Sequence, residues 1–296
     1  MSKHFIDIAD FSAKDLETLL LLAVKLKKGL KNNESLRLLE GKTLGLFFEK
    51  ASLRTRVSFE VSMVQLGGSS IFLSEQEVGL GTREPVEDVA RVLSRLVDIV
   101  VLRTFKHNVV KTFASYSTIP IINGLTDYSH PCQAIADFLT LYEHFGSLKG
   151  KRLCYIGDGN NVLLSLIELS EKLGVDITVS CPEGYEPETA VPYRLERDPY
   201  KAAEGQEVIY TDVWTSMGQE IENENRRKAF SGYTVNDEMM GKASRDAIFL
   251  HCLPAHRGDE VSASVFEGAQ SHVFDQAENR LHAQKAIILW LLGIIL

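Results

Sequence analysis

A chain of 296 residues, 45% hydrophobic and 24% charged, is long enough for one large or two ordinary domains and has the composition of a folded globular protein. A net charge of -8 argues against a broad nucleic-acid footprint, which would show as a basic patch or stripe, yet leaves room for a small anionic substrate met by local arginines. Cys132, Cys154, Cys181 and Cys252 lie far apart with no C-x-x-C pair, which suggests neither a zinc ribbon nor a disulfide framework and fits a reducing, cytoplasmic compartment.

The opening Met-Ser-Lys-His-Phe-Ile-Asp lacks the basic segment and apolar core of a signal peptide. Leucines at helical spacing predict a helix over 13–28, followed by a strand over 42–48, a helix over 58–66 and a strand over 70–73. The alternation continues with a helix over 85–96, a strand over 98–102, a helix over 109–116 and a strand over 119–122. A long helix over 130–144 then leads through Gly146-Ser-Leu-Lys-Gly150 into a strand over 152–157. Further on come a helix over 163–173, strands over 176–179 and 207–210, a helix over 223–230 and a strand over 247–250. The apolar run Ala286–Leu296 is eleven residues long, short of the ~20 a membrane span needs, and reads as a terminal helix buried against the body. This rhythm predicts an α/β protein of two doubly wound parallel-sheet domains joined by long helices.

In such sheets ligands bind beyond the carboxyl ends of the strands, so polar clusters there are the candidate sites. The first is Glu49–Glu60. Ser52 and Thr55 can cap a helix, and Arg54 and Arg56 fall in its first turn, where the helix dipole disfavours cations; a bound anion would resolve the conflict, although a plain cap with solvated arginines also accounts for these residues. The second is His130-Pro-Cys-Gln133, whose histidine and glutamine share a helix face, although a plain proline-started helix explains the spacing equally well. The third, Gly157-Asp-Gly-Asn-Asn161, follows a strand but lacks G-x-G-x-x-G spacing and an acidic ribose partner, so no nicotinamide cofactor is expected. The fourth is Thr211–Gln219.

The last cluster, His251-Cys-Leu-Pro-Ala-His-Arg-Gly-Asp-Glu260, follows a buried strand and invites a metal or a cysteine nucleophile. A nucleophile wants a nearby base, but His251 and Cys252 are neighbours on an extended segment and point to opposite sides. A zinc site wants three or four ligands at a recognisable spacing, which is missing here.

Taken together these stretches resemble the aspartate/ornithine carbamoyltransferase family, and within it the ornithine branch. Phe48–Arg56 is similar to the family's S-T-R-T-R phosphate loop, His130–Gln133 to its H-P-x-Q, Asp212–Gly218 to the ornithine branch's D-x-x-x-S-M-G, and His251–Pro254 to its H-C-L-P. The resemblance covers nearly the whole chain. It implies a carbamoyl-phosphate domain over 1–133, with a terminal helix over 281–296 packing back on it, and an ornithine domain over 134–280. It also implies trimers with sites at subunit interfaces and a transfer that needs no metal or organic cofactor.

By that resemblance Ser52, Leu53, Arg54 and Thr55 hold the phosphate with Arg103. Arg103, His130 and Gln133 surround the carbamoyl group, and Arg280 closes from the second domain. Asn161, Asp212, Ser216 and Met217 bind the amino acid, with Asp212 and Cys252 near its side-chain amine and the Leu253 carbonyl a further acceptor. Arg103, His130, Asp212 and Cys252 are the expected catalytic set, with Cys252 orienting rather than attacking. Three positions depart from the pattern. Leu53 stands where ornithine enzymes have threonine, and Gly79 where the family places a glutamine or histidine that reaches a neighbouring subunit's carbamoyl phosphate. The segment 185–200 is short of much of one helix and a strand.

Overall fold

The protein is described by a computed structural model over residues 4–34, 36–215 and 223–294. It divides into two compact units, one formed by Met1–Leu139 with Asn279–Leu296 and the other by Thr140–Glu278. The expected boundary at 133/134 falls six residues before this division.

In the first unit, α1 (Ala13–Lys31) starts where Ser12 and Asp15 cap each other's backbone, and it buries Leu16, Leu19, Leu20, Ala23 and Leu26 at helical spacing. Then come β1 (Thr43–Phe48), α2 (Leu53–Gln65), β2 (Ser69–Ser74), α3 (Glu75–Val78), α4 (Val86–Leu93), β3 (Ile99–Arg103), α5 (His107–Tyr116), β4 (Ile121–Leu125) and α6 (Pro131–Phe145). The sheet order is β2-β1-β3-β4, all parallel. β1 and β3 read as unbroken apolar runs because both faces are covered, and Phe47, Val100, Leu102, Phe113 and Ile121 form one core cluster. Successive strands are added outward in opposite directions from β1 and β3, and the register of these two sets Phe48 beside Arg103. The loop after β1 and the end of β3 therefore share the ligand-binding edge of the sheet.

The chain passes to the second unit within α6. There follow β5 (Arg152–Ile156), α7 (Asn161–Leu173), β6 (Asp176–Ser180), β7 (Arg194–Leu195), α8 (Pro199–Ala203), β8 (Val208–Thr211), α9 (Asn223–Ala229), α10 (Asp237–Met240), β9 (Ile248–His251) and α11 (Ala263–Phe266). The parallel order is β7-β6-β5-β8-β9. Ile156 aligns with Thr211 and Thr211 with His251, so Gly157, Asp212 and Cys252 all emerge at one edge. Ile156, Ile209, Met239, Phe249 and Phe266 are in the core beneath.

The chain returns to the first unit within α12 (Val273–Leu291), where Ala283, Ala286, Ile287, Ile288 and Leu289 are fully buried. Among the described residues no helix is long and apolar enough to cross a membrane. Elements that the periodicity misses are all short: α3, α8, α10 and α11 have four or five residues and β7 two. In the segment 185–200 the only strand is that two-residue β7, paired with β6 at the sheet edge.

Gly79 has a local reason to be glycine. It ends α3 in the left-handed region, φ 61°, and a Cβ built there would lie 2.6 Å from Arg83 Cβ. Gly79→Gln should therefore cost about 1–2 kcal/mol, from positive φ and crowding together. Urea unfolding of the two proteins checks this, and equal midpoints would remove the conformational explanation.

Candidate active site

The first site residues are placed by one helix start. Ser52, extended at φ -159° and ψ 111°, accepts the Thr55 N–H at 3.3 Å on its Oγ and donates its hydroxyl to Thr55 Oγ1 at 3.0 Å. This cap starts α2 at Leu53, five residues before the expected 58, and turns the first N–H groups toward the sheet's ligand edge. Arg54 is half-buried in that first turn. Arg56 is engaged elsewhere, bonded to Glu60 at 3.0 Å and 3.9 Å over the Phe72 ring. The Leu53 side chain is 77% exposed.

Around this turn the unit gathers buried polar groups. Arg103, at the end of β3, donates from Nε to the Lys50 carbonyl at 3.2 Å and from Nη1 to Thr55 Oγ1 at 3.5 Å. Gln133 donates to Asp137 at 2.7 Å and accepts Arg280 Nη1 at 2.5 Å, while Arg280 Nη2 reaches Thr55 Oγ1 at 3.2 Å. Arg280 was expected to arrive from the second domain; it belongs instead to the first unit, whose compact body includes Asn279–Leu296. The apolar tail explains this, because packing it back brings the preceding turn along, and Lys27 Nζ bonds Asn279 Oδ1 at 2.7 Å while Ser62 Oγ bonds the Leu281 carbonyl at 3.1 Å.

His130 lies in the same constellation and is fully enclosed. Burial first, then the positive charges of Arg280, Arg103 and Arg54, hold its imidazole well below the usual histidine range. It is neutral at physiological pH, able to donate one N–H without adding a cation. With Arg54, Arg103 and Arg280 converging on a neutral donor and a helix amino terminus, the chemistry offered is the capture of a small, highly charged anion.

In the second unit Asp212, just beyond β8, is the hub. Its Oδ1 accepts the Val213 N–H at 2.8 Å and the Cys252 thiol at 2.9 Å, and its Oδ2 accepts Asn160 Nδ2 at 2.8 Å. Asn160 also caps α7 through Oδ1 to the N–H groups of Val162 and Leu163. Gly157, at φ 150°, starts the loop that makes this reach possible. Asp158 pairs with Arg226 at 2.9 Å, yet burial pushes its carboxyl up to about 6, an effect that Arg226 offsets only in part and Asp212 increases.

Leu253 takes a left-handed backbone, φ 62°, which costs roughly 1–3 kcal/mol unless the surroundings fix it. They do: its N–H donates to His251 Nδ1 at 2.9 Å, and Nε2, which must then carry the proton, donates to buried Glu260 at 3.1 Å. Although extended geometry points neighbouring side chains apart, Asp212, His251 and Cys252 bring ligand atoms within 4.8 Å of one another. The His251 lone pair is spent on Leu253, so the set does not fit a metal as it stands.

Residues 3–143 match the family described as aspartate/ornithine carbamoyltransferase, carbamoyl-P binding domain, and residues 149–291 match its Asp/Orn binding domain. The chain belongs to the aspartate/ornithine carbamoyltransferase family. An ornithine carbamoyltransferase of Anoxybacillus flavithermus is 49% identical over 303 residues, covering 98% of this chain and 96% of that relative. The solved ornithine carbamoyltransferase of Pyrococcus furiosus superposes with a TM-score of 0.96 at 47% identity, covering 99% of this chain and 97% of that one. The anabolic enzyme of Campylobacter jejuni superposes at 0.92 with 37% identity, covering 98% and 99%.

Of the residues expected from the family motifs, Ser52, Arg54, Thr55, Arg103, His130, Gln133 and Arg280 come together in the first unit. Asp212, Cys252 and Leu253 share one sheet edge in the second, where Asn161 begins α7. Ser216 and Met217 lie outside the described residues. Asn160, Glu260 and the Asp158–Arg226 pair were missed. Asn160 had a signal, an Asn before an apolar helix, but its second bond to Asp212 is 52 positions away in the chain.

A neutral buried His130 makes stability depend on pH. Its folded pKa is depressed, so the unfolded chain takes the proton first, and this contribution is lost as pH falls below the unfolded value near 6.5. We expect His130→Asn to flatten the stability loss between pH 7 and 5.5, by up to ~1.4 kcal/mol per pH unit. Urea melts of both proteins at the two pH values measure it, and parallel losses would contradict a neutral His130.

Proposed function

We propose that this enzyme transfers the carbamoyl group of carbamoyl phosphate to the side-chain amine of L-ornithine, giving L-citrulline and phosphate. The single observation that carries the reading is the convergence of Arg103, Arg280, Thr55 and Gln133 with neutral His130 at the α2 amino terminus, in a chain that matches both family domains. Ser52, the Leu53 N–H, Arg54, Thr55 and Arg103 hold the phosphate. Arg103, His130, Gln133 and Arg280 face the carbamoyl group, with Cys252 and the Leu253 carbonyl as further contacts. Asn161, Asp212, Ser216 and Met217 hold ornithine.

The deprotonated amine attacks the carbamoyl carbon, an oxyanion forms, and the C–O bond to phosphate breaks while phosphate takes the amine's proton. Guanidinium and imidazole N–H groups fixed in advance stabilise that oxyanion, and a single such donor is worth ~3 kcal/mol in comparable sites. Asp212 attracts the cationic amine, which gives up one proton to solvent before it attacks. Cys252 donates its thiol hydrogen to Asp212 and so orients the carboxylate instead of serving as a nucleophile. The enzyme works in the cytoplasm as a homotrimer. Support for association of copies comes from α2, where exposed Leu53, Val57 and Val64 fall within one narrow arc, next to Ile71 on edge strand β2.

Citrulline formation from carbamoyl phosphate should be faster, by kcat/KM, with ornithine than with N-acetylornithine, aspartate or putrescine; preference for any other acceptor refutes the assignment. Arg54→Ala should lower kcat/KM by well over tenfold, about 2–4 kcal/mol, as for other lost charged donors. Leu53→Thr, adding at most one neutral donor, should change carbamoyl-phosphate affinity by no more than about tenfold. Cys252→Ser should retain turnover, and trapping a carbamoyl adduct on Cys252 by mass spectrometry would overturn its orienting role. By sedimentation the protein should be a trimer, and Val64→Glu should shift it to smaller species.

A further inference from the structure

The first unit carries a second buried polar network, outside the anion site and ending on the residue before His130. The amino-terminal segment runs along β4: Phe5 N donates to the Ile121 carbonyl at 2.8 Å, and Asn123 N to the Phe5 carbonyl at 2.8 Å. This delivers Asp7, 6% exposed, to the loop 126–129. Asp7 Oδ1 accepts the Ser129 hydroxyl at 2.8 Å, and Ser129 Oγ accepts Asn123 Nδ2 at 3.0 Å. Asn123 Nδ2 also donates to the Ile6 carbonyl at 3.1 Å. On its other oxygen Asp7 receives His107 Nε2 at 3.1 Å, with Lys111 Nζ at 3.4 Å. His107 Nδ1 lies 2.9 Å from Thr126 Oγ1, which accepts the Ser129 N–H at 3.2 Å. The loop closes on itself through Thr126 N to the Ser129 carbonyl at 3.0 Å.

We infer that Asp7, Ser129 and His107 are positioning residues for the transfer reaction, fixing the loop that sets the place of His130. The inference rests on the reading of His130 as the donor to the carbamoyl oxygen. Ser129 is held by its N–H and its hydroxyl from two directions, so the peptide leading into His130 has little freedom to shift. His130 in turn opens α6, its carbonyl accepting the Gln133 N–H at 3.0 Å. Displacing Ser129 therefore moves His130 and the start of the helix that carries Gln133. Burial alone would raise the Asp7 carboxyl, but bonds and charge from His107, Ser129 and Lys111 outweigh it and hold it below the usual carboxylate range. Asp7 thus stays an acceptor for both partners. A donor that must meet an oxyanion loses effect steeply with small displacements, whereas ground-state binding of ornithine is untouched.

The test uses the full chain and steady-state kinetics, with melting temperatures to register folding. Ser129→Ala and Asp7→Asn should each lower kcat about tenfold with the KM for ornithine unchanged, the size of one lost positioning bond. Ser129→Thr, which keeps the hydroxyl, should recover most of the loss. Combined with His130→Ala, Ser129→Ala should have less than about a twofold further effect, because residues acting through one another do not add. Equal losses in both backgrounds, or a lowered melting temperature with kcat intact, would overturn the positioning role while leaving the function reading in place. Full activity of His130→Ala would remove the role of His130 itself and this inference with it. If Ser129→Ala does not fold, Asp7→Asn in the same two backgrounds decides.

Discussion

The constraint on which the first unit depends is the cost of gathering positive charge where it is least welcome. Arg54 sits in the first turn of α2, and Arg103 and Arg280 are almost fully buried. Like charges a few ångströms apart repel by ~4 kcal/mol at an effective dielectric near 20, and burial raises the penalty. The chain contains this with neutral acceptors: the Lys50 carbonyl, Thr55 Oγ1 and Gln133 Oε1 each receive a guanidinium N–H. It also declines to add a fourth cation, since the same field keeps His130 neutral. An anion held among the three guanidinium groups would offset most of this repulsion.

The second unit is built on the opposite sign. Asp212 is a buried carboxylate whose two oxygens are occupied by a backbone N–H, an amide and a thiol, all neutral donors. These fix its orientation and leave its charge uncompensated by them, a suitable attractor for an ammonium group. The neighbouring Asp158 is treated differently, given Arg226 as an ion partner and still pushed up by burial. Two acids on one sheet edge thus carry different roles through their surroundings alone.

Much of this was legible in the residues. Most long elements follow from periodicity, though α12 begins at Val273, thirteen residues before the expected Ala286, and polar clusters at Ser52, His130, Asp212 and Cys252 follow strand ends as the strand-end rule expects. What was not legible is whatever depends on a distant partner. Elements of four or five residues, such as α3 and α11, are too short to show a period, and they exist through caps and packing. The start of α2 was misplaced because the Ser52 cap outweighs the missing apolar stripe in its first turns. Arg280 belongs to the first unit because it lies inside α12, just after the chain passes from one unit to the other, and nothing local marks that point; the buried tail decides it. The approach of Asp212 to Cys252 and His251 depends on the register of β8 with β9, two strands far apart in the chain, which no local argument shows.

The placement of Arg280 has a consequence for how the protein comes into being. Its bond to Thr55 spans 225 positions, so all of that stretch must be translated before the two side chains can meet. The first unit can acquire its sheet before α12 has been made, and until then its arginine cluster lacks one guanidinium. A nascent chain that has not yet reached α12 therefore lacks this guanidinium, and the proposed phosphate grip is complete only once that helix has been made.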